Sequence, residues 1–414
     1  MAISAGAQWR VRIGGSDTLC SGLFDPTVSG AGTDYTDQDT AQLAITDLAC
    51  TGTPWTTLTS ATGGFTSAMI GNGIYIASGT NFTAGRYIIT GVTNTNTITV
   101  DRAAGATGAC SSGVAKIGGA VASAISITGS APWGAVAGNV VYIRGQGSNV
   151  PAGIDYNWGV ASTNVGSGLS YIGYNGRPCI GHTGRIWVFS TSVNALSLEN
   201  LYFTQTASTY TTYGVVSGTV SGNNVAYNCV FDQAGFDASQ LMNTSPVRCS
   251  FINTGTQTVG TRPAIIQDVT TGRYQTAKNC LFKDLRYSGI SVSAGQMTID
   301  GNVFQSLASD AITLGTESYL NAPGLVTNNT IYNCAGHGIS MTSNYNSFVF
   351  ENLITNITGS GKYGIYVSGA ANSAAAVNSA TRVARNNFYG NTNNCNVNMS
   401  STNTTLDPQY TNAP

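Results

Sequence analysis

Charge is what this chain has least of. Lys, Arg, Asp and Glu make up 8% of its 414 residues, against roughly 25% in an ordinary soluble domain. Only three positions are glutamate: Glu199, Glu317 and Glu351. Helical surfaces are usually built on Glu, Lys and Arg, so the composition argues against a helical protein. The net charge of −1 comes without any Lys/Arg cluster. A nucleic-acid partner would need concentrated positive charge to neutralise phosphate, so none is expected. No apolar run approaches the roughly 18 residues of a membrane span. Residues 1–15 lack a basic stretch followed by an apolar one, so no secretory signal is expected. Histidine occurs twice, at His182 and His337, and the nine cysteines form no CxxC pair. Metal ligands must converge, and nothing in this spacing makes them do so; neither a metal nor another cofactor is expected.

What fills the vacant places is glycine (51 residues) with many Ser, Thr and Asn, while hydrophobic residues at 42% suffice for a core. Such a chain reads as all-β with many turns rather than disordered. Cys229, Cys249 and Cys280 each lie two residues before a Phe in a strand-like segment. They are expected as small buried hydrophobes rather than bridges or ligands; the disulfide state of the nine cysteines stays open.

Three regions follow from the pattern: a smaller β-rich N-terminal region, 1–119, a long repetitive body, 120–407, and a tail, 408–414. Within the first, the segment from Asp34 to Ala49 predicts a short helix capped by Thr36 or Asp37, with Leu43 and Leu48 on one face. From Thr56 to Arg102, Ile74, Ile76, Ile88, Ile98 and Val100 alternate with polar residues between turns, as in strands. GNGIYIASG (71–79) is echoed by GNVVYIRG (138–145), which suggests one turn-and-strand device used twice.

The body repeats. A unit Asn-x-φ-φ recurs as NCVF (228–231), RCSF (248–251), NCLF (279–282), GNVF (301–304), NNTI (328–331), ENLI (351–354) and NNFY (386–389). Its last residues, Phe231, Phe251, Phe282, Phe304, Ile331, Ile354 and Tyr389, are 20, 31, 22, 27, 23 and 35 apart. In phase with it run SGISV (288–292), DAITL (310–314), HGISM (337–341) and YGIYV (363–367), whose Ile290, Ile312, Ile339 and Ile365 are 22, 27 and 26 apart. Two short strand units per turn of 20–30 residues are the mark of a parallel β-helix, with each inward residue stacked on its equivalent one coil away. Asn and Gly at the corners allow left-handed backbone, and variable spacing reflects loops of different length. In 199–205, Leu201 and Phe203 read as one more inward pair.

These features resemble the right-handed parallel β-helix repeat proteins of the pectate-lyase-like superfamily. LSYIGYNGRPCI (169–180) is similar to a coil found in many of them. QWRVRIGGSD (8–17), TDYTDQDTAQLAITDLA (33–49), LTSATGGFT (58–66) and the closing LDPQY (406–410) resemble phage-encoded members. GHGISM (336–341) resembles the Gly-His-Gly segment of polygalacturonases, and Asp310 falls where those enzymes carry an Asp-Asp pair. The resemblance therefore implies Asp310 and His337 as catalytic candidates, stacked in adjacent coils because each lies two residues before an inward Ile. Departures weigh against it. Ser309 replaces the first Asp, Tyr287 and Ser288 stand where Asn-Thr-Asp would lie, and Lys362-Tyr363 replaces Arg-Ile-Lys. Hydrolysis needs a second carboxylate across the sugar bond; Asp284, Asp300, Glu317 and Glu351, with Arg286 nearby, are the alternatives. A lyase would want several Asp for calcium, and no acid cluster recurs at coil spacing.

The expected function is thus structural: a fibre, spike or capsid decoration of a phage virion. It would be assembled in the host cytoplasm, held to other virion proteins by its N-terminal region, and associated as a homotrimer. Tyr210, Tyr213 and Tyr345 at loop corners are expected either to bury against neighbouring copies or to stack on host-surface polysaccharide. The alternatives are a polysaccharide-degrading tailspike, a glycosidase or lyase, and a bacterial surface adhesin.

Overall fold

The computed structural model describes residues 3–106, 108–124, 135–149, 153–157, 168–182, 195–205, 216–217, 224–232, 241–253, 262–267, 274–293, 296–315, 324–342, 347–368, 383–396 and 401–408. It forms two compact units, 1–158 with 163–179, and 159–162 with 180–414. The boundary read from sequence at 119/120 lies inside the first of them.

In the first unit, six antiparallel strands close into a barrel: Leu43–Cys50, Thr57–Thr59, Thr97–Val100, Gly85–Asn94, Gly73–Thr80 and Cys110–Ile117. Alternation drives Leu58, Ile74, Ile76, Ile89, Ile98 and Ile117 into its centre, as period-two patterning requires. A disulfide joins Cys50 to Cys110 across the closing pair of strands. The helix expected over 34–49 is absent. Residues 43–50 are a strand, and register shifts between Ile45 and Leu48 and again before Cys50 turn Ile45, Leu48 and Cys50 all inward. That bulge produced the irregular apolar spacing that read as a helical face. Beside the barrel in sequence, Gln8–Val11 pairs in parallel with Val140–Arg144, which pairs with Ser170–Tyr174. The echoed segments share a device. Gly71 and Gly138 both have φ of +87°, and the Asn that follows, Asn72 or Asn139, is buried and bonds the turn behind it. One copy opens an antiparallel barrel strand and the other a parallel strand.

The second unit is the parallel β-helix, right-handed and all-β. Sheet I holds eight of its described strands, from Ser197–Glu199 to Val383–Ala384; sheet II holds eight, from Tyr202–Gln205 to Asn387–Tyr389; and sheet III holds seven, from Val216–Ser217 to Ile365–Ser368. Every pairing within these stacks is parallel, as in Phe251↔Phe282↔Phe304 and Ile290↔Ile312↔Ile339↔Ile365. Phe203, Phe231, Phe251, Phe282 and Phe304 stack face to face, with centroids 5.3, 4.9, 4.8 and 4.5 Å apart. The inward Ile column of sheet III is equally closed to water.

The last coil corrects the repeat by one residue. Phe388, not Tyr389, pairs with Ile354, and Tyr389 is 41% exposed. The repeating corner explains why. Asn228, Arg248, Asn279, Gly301, Asn328, Glu351 and Arg385 all have φ between 52° and 68°, so the coil begins at Arg385 and a slip of one residue reverses the faces.

Behind that corner runs a ladder. Asn302, Asn329, Asn352 and Asn386 are buried, and the Oδ1 of each of the last three accepts the backbone N–H of the Asn one coil before, at 2.9–3.0 Å. Their Nδ2 groups donate to the carbonyls of Ala277, Ile299, Val326 and Val349. Cys229, Cys249 and Cys280 occupy the same rung in the earlier coils, and the Cys249 thiol donates to Ala226 as the Asn amides do to their equivalents.

Candidate functional site

In four successive coils the turn that enters sheet III contributes one residue to a column, Ser288, Asp310, His337 and Tyr363, each two residues before an inward Ile; Ser288 and His337 are buried. The structure brings Asp310 and His337 together as adjacent rungs. Their contact is not the one acid–base chemistry would use. Asp310 Oδ1 accepts the backbone N–H of His337 at 2.7 Å, and the imidazole Nδ1 accepts the backbone N–H of Tyr363 at 3.0 Å. An acceptor Nδ1 leaves the ring proton of the neutral form on Nε2. The turn is tight: a Cβ on Gly336 would lie 2.3 Å from the Asp310 nitrogen and from its Oδ1.

Burial lowers the His337 pKa below its ordinary value; Lys362 adds to this and the Asp310 charge opposes it. The ring stacks on Tyr366, centroids 4.4 Å apart and planes within 8°, and Tyr363 lies 6.0 Å away. His337, Tyr363 and Tyr366 thus form an aromatic platform with both tyrosines half-exposed. Tyr363 sits at the rung of His337 in the next coil. The YGIYV unit carries both tyrosines of this platform; Tyr366 is the one that the sequence pattern does not single out.

Next to the column lies a cleft of about 490 Å³ lined by Arg262, Pro263, Ile266, Tyr287, Ser288, Ser291, Ser309, Asp310 and Thr313. Ser288 Oγ donates to Ser309 Oγ at 3.3 Å, and Tyr287 is 38% exposed. Asp310 is the one carboxylate among its lining residues. The remaining acids are placed elsewhere. Asp300 pairs with Lys278 and takes Asn328 Nδ2, and Glu351 pairs with Arg385. Asp284 and Arg286 line a second cleft of about 570 Å³ at the corner between sheets II and III. Glu317, Tyr210, Tyr213 and Tyr345 lie outside the described residues. Among the described residues no three His, Cys, Asp or Glu side chains converge on a point that could hold a metal ion, and no helix is long and apolar enough to cross a membrane.

In the first unit, the motifs singled out at 8–17, 33–49 and 169–180 meet. Arg10 pairs with Asp34 and lies over the Tyr142 ring at 4.3 Å, Arg12 pairs with Asp37 and Asp39, and the Tyr174 hydroxyl donates to Asp37.

A family model described as a right-handed β-helix region matches residues 264–413. No curated protein matches the chain. Among solved structures, it is 13% identical to the A-module of a mannuronan C-5 epimerase from Azotobacter vinelandii, over 64% of this chain and 80% of that one, with a TM-score of 0.33. It is also 13% identical to the catalytic unit of a GH87 α-1,3-glucanase from Streptomyces thermodiastaticus, over 88% and 86%, with a TM-score of 0.31.

Proposed function

We propose that this chain is an attachment protein of a phage particle that binds host-surface glycans along sheet III without cutting them. The observation that carries the reading is the bonding of Asp310 and His337. The carboxylate is engaged by a backbone N–H and the imidazole is stacked, while Arg262, Tyr287 and Ser/Thr side chains line the cleft beside them. Both retaining and inverting hydrolysis require a second carboxyl group, about 5–10 Å from the first, whereas Asp310 is the single carboxylate among the described residues that line the cleft. Tyrosine faces and Ser/Thr hydroxyls are groups on which a sugar ring can stack and hydrogen-bond. The particle assignment is supported by the resemblance of 8–17 and 33–49 to phage-encoded β-helix proteins, with three copies associating and the N-terminal region docking to the particle. Mass spectrometry of purified particles tests it. A stoichiometric component supports the assignment, and a chain absent from particles but present on a bacterial surface would replace it with the adhesin reading.

A further inference from the structure

Three thiols occupy successive rungs of the inner ladder. Cys229, Cys249 and Cys280 are 1%, 1% and 2% exposed, and equivalent backbone bonds place them in register: the carbonyls of Cys229, Cys249 and Cys280 accept the N–H groups of Ser250, Leu281 and Val303. Adjacent coils of a parallel sheet lie about 4.8 Å apart. That separation falls within the Cα–Cα range a disulfide spans, about 4.4–6.8 Å, and the Cys50–Cys110 bridge of this chain spans 4.7 Å. The neighbouring rungs hold Asn302, Asn329, Asn352 and Asn386, which bond rung to rung. The cysteine rungs lack that amide-to-amide link, and the Cys249 thiol bonds a carbonyl of the coil before it. We propose that this column is an oxidation site at which Cys249 forms a disulfide with Cys229 or with Cys280, stapling two successive coils.

The oxidant is a peroxide, small enough to enter during local opening of the wall. The Cys249 thiolate attacks one peroxide oxygen, the O–O bond breaks, and a sulfenic acid and water form. A neighbouring thiol then displaces the sulfenic hydroxyl as a second water. Two thiols and one hydrogen peroxide give one disulfide and two waters. Cys249 is the first to react because it has a thiol neighbour on each side. Either neighbour can then resolve a sulfenic acid formed at Cys249. Three rungs permit one disulfide and leave one thiol beside it, so the bridge can move along the column by exchange.

The test is peroxide treatment of the folded full-length chain. Remaining thiols are then blocked in denaturant and the chain is digested with trypsin without reduction. Cleavage after Arg248 and Lys278 separates the three cysteines, and the Cys50–Cys110 link serves as internal control. The expected result is a cross-linked peptide joining Cys249 to Cys229 or Cys280, lost in Cys249→Ser and confined to the 229–249 pair in Cys280→Ser. If all three remain alkylatable after the partly exposed Cys395 has been oxidised, or if Cys249 links to any other cysteine, the proposal fails.

Discussion

Asp310 Oδ1 takes the backbone N–H of His337 at 2.7 Å, one coil away. This bond defines what the carboxylate does, because an amide oxygen can accept it equally well. Asp310→Asn should therefore leave unfolding free energy within about 1 kcal/mol of wild type, while Asp310→Ala should cost about 1–3 kcal/mol by leaving that N–H without its acceptor. Urea titration of the two variants separates these outcomes. Equal losses would show that charge, not the acceptor, is what the turn needs.

His337 gives the site a pH signature. Its folded pKa lies below the ordinary histidine value, chiefly through burial, so the unfolded chain binds more protons as pH falls below about 6.5. Its contribution is complete above that pH and is lost as pH falls towards and through the depressed folded pKa. His337→Asn keeps an acceptor for the Tyr363 N–H but does not titrate. Urea midpoints at pH 7.5 and 5 should differ less in this variant than in wild type; an unchanged difference would place the titration elsewhere.

The Asn ladder should be worth more than its individual bonds. Asn329→Ala removes the acceptor of Asn302 and the donors to Ile299 and Asn352, a loss of at least about 2 kcal/mol. Cys280→Asn should be neutral or stabilising, since Asn already fills that rung in the next four coils. A large destabilisation there would mean the early coils are too narrow for an amide.

Ile339 is fully buried between Ile312 and Ile365. Ile339→Asp would put a carboxylate with no partner into that column, at a cost of several kcal/mol. Circular dichroism and soluble yield should show no folded protein.

Much of this was legible beforehand because stacking forces like onto like. The Phe and Ile columns and the Asp310/His337 adjacency follow from residues that recur in phase. The first unit was harder to read. A bulge between Ile45 and Leu48 imitates a helical face, and Cys50 and Cys110 meet only because the barrel closes. The slip at Tyr389 arose from the doubled Asn in NNFY, where sequence alone could not say which Asn was the buried rung. The role of Tyr366 was hidden because it faces outward, where periodicity carries no constraint.

The direct test of binding without cleavage is to incubate the purified chain with host-surface polysaccharide and measure retention and reducing ends together. The account predicts retention that falls at least about tenfold in Tyr287→Ala and in Tyr366→Ala, a difference of about 1.4 kcal/mol, with no new reducing ends from any variant. Release of reducing ends by wild type, abolished in Asp310→Asn, would contradict it.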